Sequence, residues 1–296
     1  GGGASPMMDS TGGAISPFLV LWIYFHWGWR PAFIVPGILG FLWLLVWRKF
    51  YYSPEEHPRI STAELEMLRS ENRSTEPSAA ATKVRWRDLL RLPQTWGVIA
   101  ARAFTDPVWY FVTDWFPIYL VAKGIDLRNG LIAIWVPFLA ADLGNFAGGA
   151  ASGFLIRRGW SLGWARKAVV IVGGCGTMLL IPTVFTQNLW IITALFAMSA
   201  CSYACFTTIA NVLPSDLYNR NAVATLSGLS GTGSGIGTII AMKAVGYLSD
   251  ARIADKGHVF DPIVIASGII PLIGAVLVLL LVRNTRATRE GGASVR

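Results

Sequence analysis

Charge is scarce in this chain. Only 14% of its 296 residues are Asp, Glu, Lys or Arg, against about a quarter in soluble domains, while 53% are hydrophobic. So large a deficit over so long a chain excludes a single soluble core. Cysteine is nearly missing as well. Cys175, Cys201 and Cys205 all fall in apolar stretches, without disulfide-framework spacing and without the His or carboxylate company that completes a metal site. They read as packing thiols. Histidine is limited to His26, His57 and His258, in loops or at the edges of apolar stretches, which leaves no buried histidine proton relay. HExxH, Walker A and GxSxG are absent, so no catalytic constellation and no metal or organic cofactor is expected. The start, "GGGASPMMDSTGGAISP", lacks the basic and apolar regions of a signal peptide and an initiator Met. The expectation is a chain that begins inside a longer protein.

What is present is a series of apolar windows near the ~20 residues that span a bilayer. Eight spans are expected, near residues 4–26, 30–50, 95–121, 130–156, 167–186, 189–213, 222–248 and 261–282. Basic residues then concentrate on one face, in the loop over 51–93, in Arg157, Arg158, Arg166 and Lys167, and in the tail from Arg283. The opposite face holds Arg30, Lys123, Arg128, Arg252 and Lys256. The positive-inside rule puts the loop and both termini in the cytoplasm. The formal charge of +8 is therefore a topology signal, and nucleic-acid binding is not needed to explain it. Within the loop, Ser61 and Glu64 form a capping-box pattern. "VRWRDLLRLP" is a basic amphipathic piece with Trp86, Leu89 and Leu90 on one side, suited to the membrane interface.

The third window carries "RAFTDPVWYFVTDWFP". Ionisable groups inside a bilayer cost about 2.5–3.5 kcal/mol each and persist where they face a wet cavity or a partner. Arg102 and Asp106 are spaced i,i+4, so they can pair on one helix face, which continues through Tyr110, with Trp109 at its flank. Pro107 removes a backbone donor and should kink the helix. A broken, polar-faced helix is what a mid-membrane site is built from; the alternative is a structural ion pair between helices. Two windows are rich in small residues. Gly144/Gly148 and Gly149/Gly153 in one, and Gly231/Gly235 and Gly233/Gly237 in the other, have the spacing of close helix packing. Ser227, Ser230, Thr232 and Ser234 add polar groups, and Asn145 is an expected interhelical hydrogen bonder. Arg157 and Arg158 follow the fourth window and could cap carbonyls, bind lipid headgroups, or form a gate-type pair with Asp216 of "LPSDLY". The alternative for Asp216 is capping of the next helix.

"HWGWRPAF", "LPQTWGVIAARAFTDPVWYFVTDWFPIYL", "WVPFLAADLGNFAGGAASGFLIRRG" and "LPSDLY", in that order, resemble the major facilitator superfamily. They are particularly similar to the anion:cation symporter branch that carries sugar acids such as hexuronates and galactonate. The resemblance implies an all-α helical bundle in which this chain corresponds to helices 5–12 of twelve. Residues 1–50 would be two helices of the first half, 51–93 the central cytoplasmic loop, 94–283 the six-helix second half and 284–296 a cytoplasmic tail. It implies a multi-pass protein of the bacterial inner membrane, driven by a proton or cation gradient. The substrate would be a small organic anion, a sugar acid or an aromatic acid. The coupling carboxylates would lie in preceding helices that partner this chain. Expected substrate-binding residues are Arg102, Asp106, Trp109 and Tyr110, with Tyr203 in "CSYACFTTIAN" and Ser230. That stretch departs from the His-Gln and Trp pattern of many sugar-acid members. The competing reading is a non-transporting relative, either a sensor or a degenerate or truncated paralogue.

Overall fold

The computed structural model describes residues 19–20, 22–50, 86–125, 127–218, 220–251 and 258–282, the side chains of 127–132 and 220–221 aside. Among these residues the regular structure is helical. It comprises α1 (Trp29–Phe50), α2 (Trp86–Leu90), α3 (Pro93–Tyr110), α4 (Phe116–Ala122), α5 (Leu127–Arg157), α6 (Leu162–Gly176), α7 (Leu189–Leu217), α8 (Arg220–Ala251) and α9 (Asp261–Leu281). A π-helical turn, Phe111–Trp115, joins α3 to α4, and a 3-10 stretch, Thr177–Phe185, continues α6.

The chain divides into two compact units. In one, a helical stretch over 22–27 stops at Gly28, whose φ of +84° is the left-handed conformation that glycine adopts freely past a helix end. Its N–H closes on the Tyr24 carbonyl at 2.9 Å. Helix α1 follows, with Phe33, Phe41, Leu45 and Phe50 exposed. Arg48 and Lys49 occupy its last turn, where cations suit the carbonyl end of a helix.

The second unit holds α2 to α9. Helix α5 lies along α7, α3 is flanked by α8 and α9, and α6 packs on α7. Small residues set these approaches. A side chain at Gly144 would run into the Cys201 carbonyl, and a Cβ at Gly148 would stand 2.7 Å from the Cys205 Cα. The Gly144/Gly148 pair is therefore the contact line between α5 and α7. In α8 the pair that meets a neighbour is Gly233/Gly237, against Ile99 and Ala103 of α3, whereas Gly149 and Gly235 have open space. The Ala103 contact has a local cause. Pro107 has no N–H, so the Ala103 carbonyl four residues earlier lacks its helical donor. Gly237 lets α8 approach that carbonyl. Two apolar clusters fill the unit, one around Phe111, Phe116, Tyr119 and Phe196, the other around Phe206, Ile209, Leu213 and Val278.

Four stretches among the described residues are long and apolar enough to cross a membrane: Trp29–Phe50, Leu162–Phe185, Leu189–Leu217 and Asp261–Leu281. Of the eight expected spans, four meet this measure. The windows 95–121, 130–156 and 222–248 are helical, but they differ in composition. The π turn and the charges of Arg102, Asp106 and Asp114 interrupt the first. Asp142 and the glycines dilute the second, and the Gly/Ser run of 227–237 dilutes the third. Most of the window 4–26, and the Ser61/Glu64 pattern, lie outside the described residues. The basic amphipathic piece contributes α2, with Leu89 buried and Trp86 exposed. It docks by Leu89 rather than by a face shared with Trp86.

Candidate functional site

Helix α3 places Arg102 and Asp106 one turn apart, and they pair. The Arg102 Nη2 lies 3.0 Å and its Nε donates at 3.1 Å, both to the same Asp106 Oδ2. Asp106 is only 5% exposed. The hydroxyl of Ser234 on α8 also donates to Oδ2, and that of Thr207 on α7 donates to Oδ1 at 3.3 Å. Three helices thus converge on one carboxylate. A buried carboxylate is tolerated only where such an ion pair and hydrogen bonds offset its lost hydration. Oδ2 is saturated by these donors. Oδ1 carries one long bond and keeps acceptor capacity.

That carboxylate forms part of the wall of a cavity of about 310 Å³, whose other polar lining includes Tyr110, Asn145, Tyr203, Thr207, Asn211 and Ser234. The volume is at the lower end of small-molecule pockets, roughly 300–1,000 Å³. Trp109 stacks nearly parallel on Tyr203, with ring centres 5.6 Å apart and planes 7° apart, and meets Phe138 edge-on at 5.4 Å. The result is a rigid aromatic wall beside a polar one. Asn145 accepts a hydrogen bond from Thr208 at 2.9 Å, tying α5 to α7 as an interhelical bond while also lining the cavity. Beyond Tyr110 the helix passes into the π turn Phe111–Trp115, the kind of single-turn bulge that often accompanies functional sites.

Arg102, Asp106, Trp109, Tyr110 and Tyr203 are thus brought to one cavity. Ser230 is not among the lining residues. Its hydroxyl donates to the Ser227 carbonyl at 2.9 Å, and Ser234, one turn further along α8, takes the lining position instead. Thr207 and Asn211 were not anticipated. They follow Tyr203 at successive helical turns, an i,i+4,i+8 stripe that is legible in "SYACFTTIAN".

The gate-type pair is also corrected. Asp216 is paired with Arg166, Nε to Oδ2 at 2.9 Å, and the Nη1 of Arg166 donates to Ser152 at 3.0 Å. Arg157 and Arg158 sit exposed at the end of α5, and the Arg158 guanidinium lies over the Phe154 ring at 4.5 Å. Arg166 is one turn into α6, where it faces both α5 and α7. Removing it strands Asp216 and Ser152 together. Arg166→Gln should therefore cost about 1–3 kcal/mol, read as a lowered unfolding midpoint. A double-mutant cycle with Asp216→Asn should return a coupling energy of about 1–2 kcal/mol.

Among the described residues, no group of three His, Cys, Asp or Glu is placed to hold a metal ion. The model of the Major Facilitator Superfamily matches residues 3–242 and, again, 161–296. The chain belongs to the Major Facilitator Superfamily. Within the superfamily it is similar to the hexuronate transporter of Escherichia coli (strain K12), at 29% identity over 94% of this chain and 64% of that protein. It is 31% identical to the probable galactarate/D-glucarate transporter GarP of the same organism, over 90% of this chain and 61% of that protein. It is 32% identical to the probable sulfoacetate transporter SauU of Cupriavidus necator, over 80% of this chain and 55% of that protein. The chain thus spans a little under two thirds of the length of the first of these curated relatives. As a member of this superfamily it is an all-α, multi-pass membrane protein.

Proposed function

We propose that the chain is the larger part of a secondary transporter that moves a small organic anion, a sugar acid of the hexuronate or galactonate kind, in symport with protons. Residues 94–283 would form one six-helix half and 1–50 two helices of the other, joined by the cytoplasmic loop 51–93, with the tail 284–296 and both termini in the cytoplasm of a bacterial cell. Transport would proceed by rocking of the two halves about a site near the membrane midplane.

The observation that carries this reading is the tethered Asp106–Arg102 pair on the wall of a polar-lined cavity. The pair brings an always-charged guanidinium next to a carboxylate with a spare acceptor oxygen. The guanidinium gives its Nε and Nη2 to Asp106, and its Nη1 remains to donate to an anion. The spare oxygen, with Tyr110, Asn145, Asn211 and Thr207, answers hydroxyl groups. The Trp109–Tyr203 wall accepts the C–H face of a sugar ring. The names of the relatives, which are mostly for sugar acids, support the same class.

A thermal-shift screen of the purified protein tests it. Hexuronates and hexonates should raise the unfolding midpoint, because a ligand that binds only the folded state stabilises it. The matching neutral sugars should not. Aromatic acids stabilising in their place would move the assignment to that class, and no response to any organic anion would overturn it.

A further inference from the structure

The two ends of the second unit differ in chemistry, and the difference does not involve the cavity. One end gathers the starts of α3 and α6 and the ends of α5 and α9. Gly97 packs against Leu281 and Val282, and the Lys167 ammonium donates to the Leu279 carbonyl at 3.4 Å. At this end exposed aromatic rings carry cations. Arg158 lies over Phe154 at 4.5 Å, Lys167 over Trp164 at 5.5 Å, and Arg87 over Trp86 at 5.3 Å. Phe154, Trp160 and Trp164 are all about half exposed. Arg157 and Arg158 are exposed beside them. Gly159, at φ +90°, folds the α5–α6 corner, where Arg158 and Trp160 lie between Phe154 of α5 and Trp164 of α6. Of the acids at this end, Asp216 is already engaged by Arg166, and Asp88 is exposed next to Arg87 on α2. At the opposite end Lys123 is turned onto the carbonyls of Val184 and Thr186, while Asp114 and Asp261 stand at the ends of helical segments there.

We infer that the α5–α6 corner is a binding surface for the headgroups of anionic phospholipids. Rings at the polar–apolar boundary hold the cations at headgroup depth. Arg158 on its ring presents guanidinium donors to a phosphate, and Lys167, which gives one N–H to the Leu279 carbonyl, retains two more. Basic pockets between membrane helices bind acidic headgroups by this combination of charge and shape. The zwitterionic headgroup of phosphatidylcholine, which carries its own ammonium, would not satisfy the surplus of cations.

The test uses the full chain in mild detergent with added lipid. Phosphatidylglycerol should raise the unfolding midpoint by about 4 °C and remain bound in native mass spectra, and phosphatidylcholine should do neither. Inorganic phosphate and glycerol 3-phosphate should also leave the midpoint unchanged, which separates a lipid from a free phosphate. The Arg157→Gln/Arg158→Gln/Lys167→Gln variant should lose at least half of the phosphatidylglycerol shift. Where that variant does not fold, Arg158→Gln alone should reduce the retained phosphatidylglycerol, and Arg158→Lys should restore it. Equal responses to the two lipids, or variants that respond to phosphatidylglycerol as the wild type does, would overturn the inference. Neither outcome bears on the cavity.

Discussion

Asp106→Leu should lower the apparent stability of the protein by about 3–5 kcal/mol, read from its unfolding midpoint in detergent. The variant strands Arg102, which is paired to Asp106 through both Nε and Nη2, and leaves the hydroxyls of Thr207 and Ser234 without their acceptor. Each stranded hydroxyl adds about 1 kcal/mol. The double variant Arg102→Met/Asp106→Leu should recover most of the loss, because replacing both members of a buried pair by apolar groups removes the uncompensated charge. A double variant no more stable than Asp106→Leu would mean that the Thr207 and Ser234 bonds, and not the ion pair, dominate at this point. The conservative change Tyr110→Phe should leave stability unchanged, since that side chain is 45% exposed.

Gly144→Leu should be more damaging still and is expected to prevent recovery of folded protein. The new side chain would meet the Cys201 carbonyl, which belongs to the backbone of α7 and cannot rotate away. Relief requires moving α5 off α7 along one of the most extensive helix contacts in the unit, at a cost above about 3 kcal/mol. Gly149→Ala is the control. Nothing lies within 4 Å of its Cβ position, so the gain in helix propensity, about 0.5–1 kcal/mol, should leave the protein as stable or more so. Yield of monodisperse protein and unfolding midpoint distinguish the two. A Gly144→Leu variant with the stability of the wild type would contradict the packing described.

Much of this was legible in the residues. Helix positions follow the apolar windows, because a hydrophobic run bounded by Gly, Pro and charge marks its own ends. Arg102 and Asp106 announced themselves as charges where charge is costly, and their i,i+4 spacing dictated the pair. Which helices count as spans was less legible, since Gly144, Gly148 and the Gly/Ser run of α8 trade apolarity for close packing. Ser230 and Ser234 lie on one helix face a turn apart, and only the position of α8 against α3 decides which reaches Asp106. The same holds for Asp216. Arg157, Arg158 and Arg166 are all near in sequence, and the fold selects Arg166 because α6 carries it back over α5 and α7. Thr207 and Asn211 carry little signal of their own, because threonine and asparagine also occur in membrane helices as interhelical hydrogen bonders, and only the packing of α7 against α3 and α5 gives them a cavity to line.

The most direct measurement is equilibrium binding of a labelled hexuronate or galactonate to the wild type and to Arg102→Met/Asp106→Leu, both confirmed folded. Saturable binding to the wild type, abolished in a double variant of near-normal stability, is the predicted result. It would assign the pair to the ligand and not merely to the scaffold. Equal affinity in the two proteins would contradict the account and leave Arg102 and Asp106 as a tie between helices.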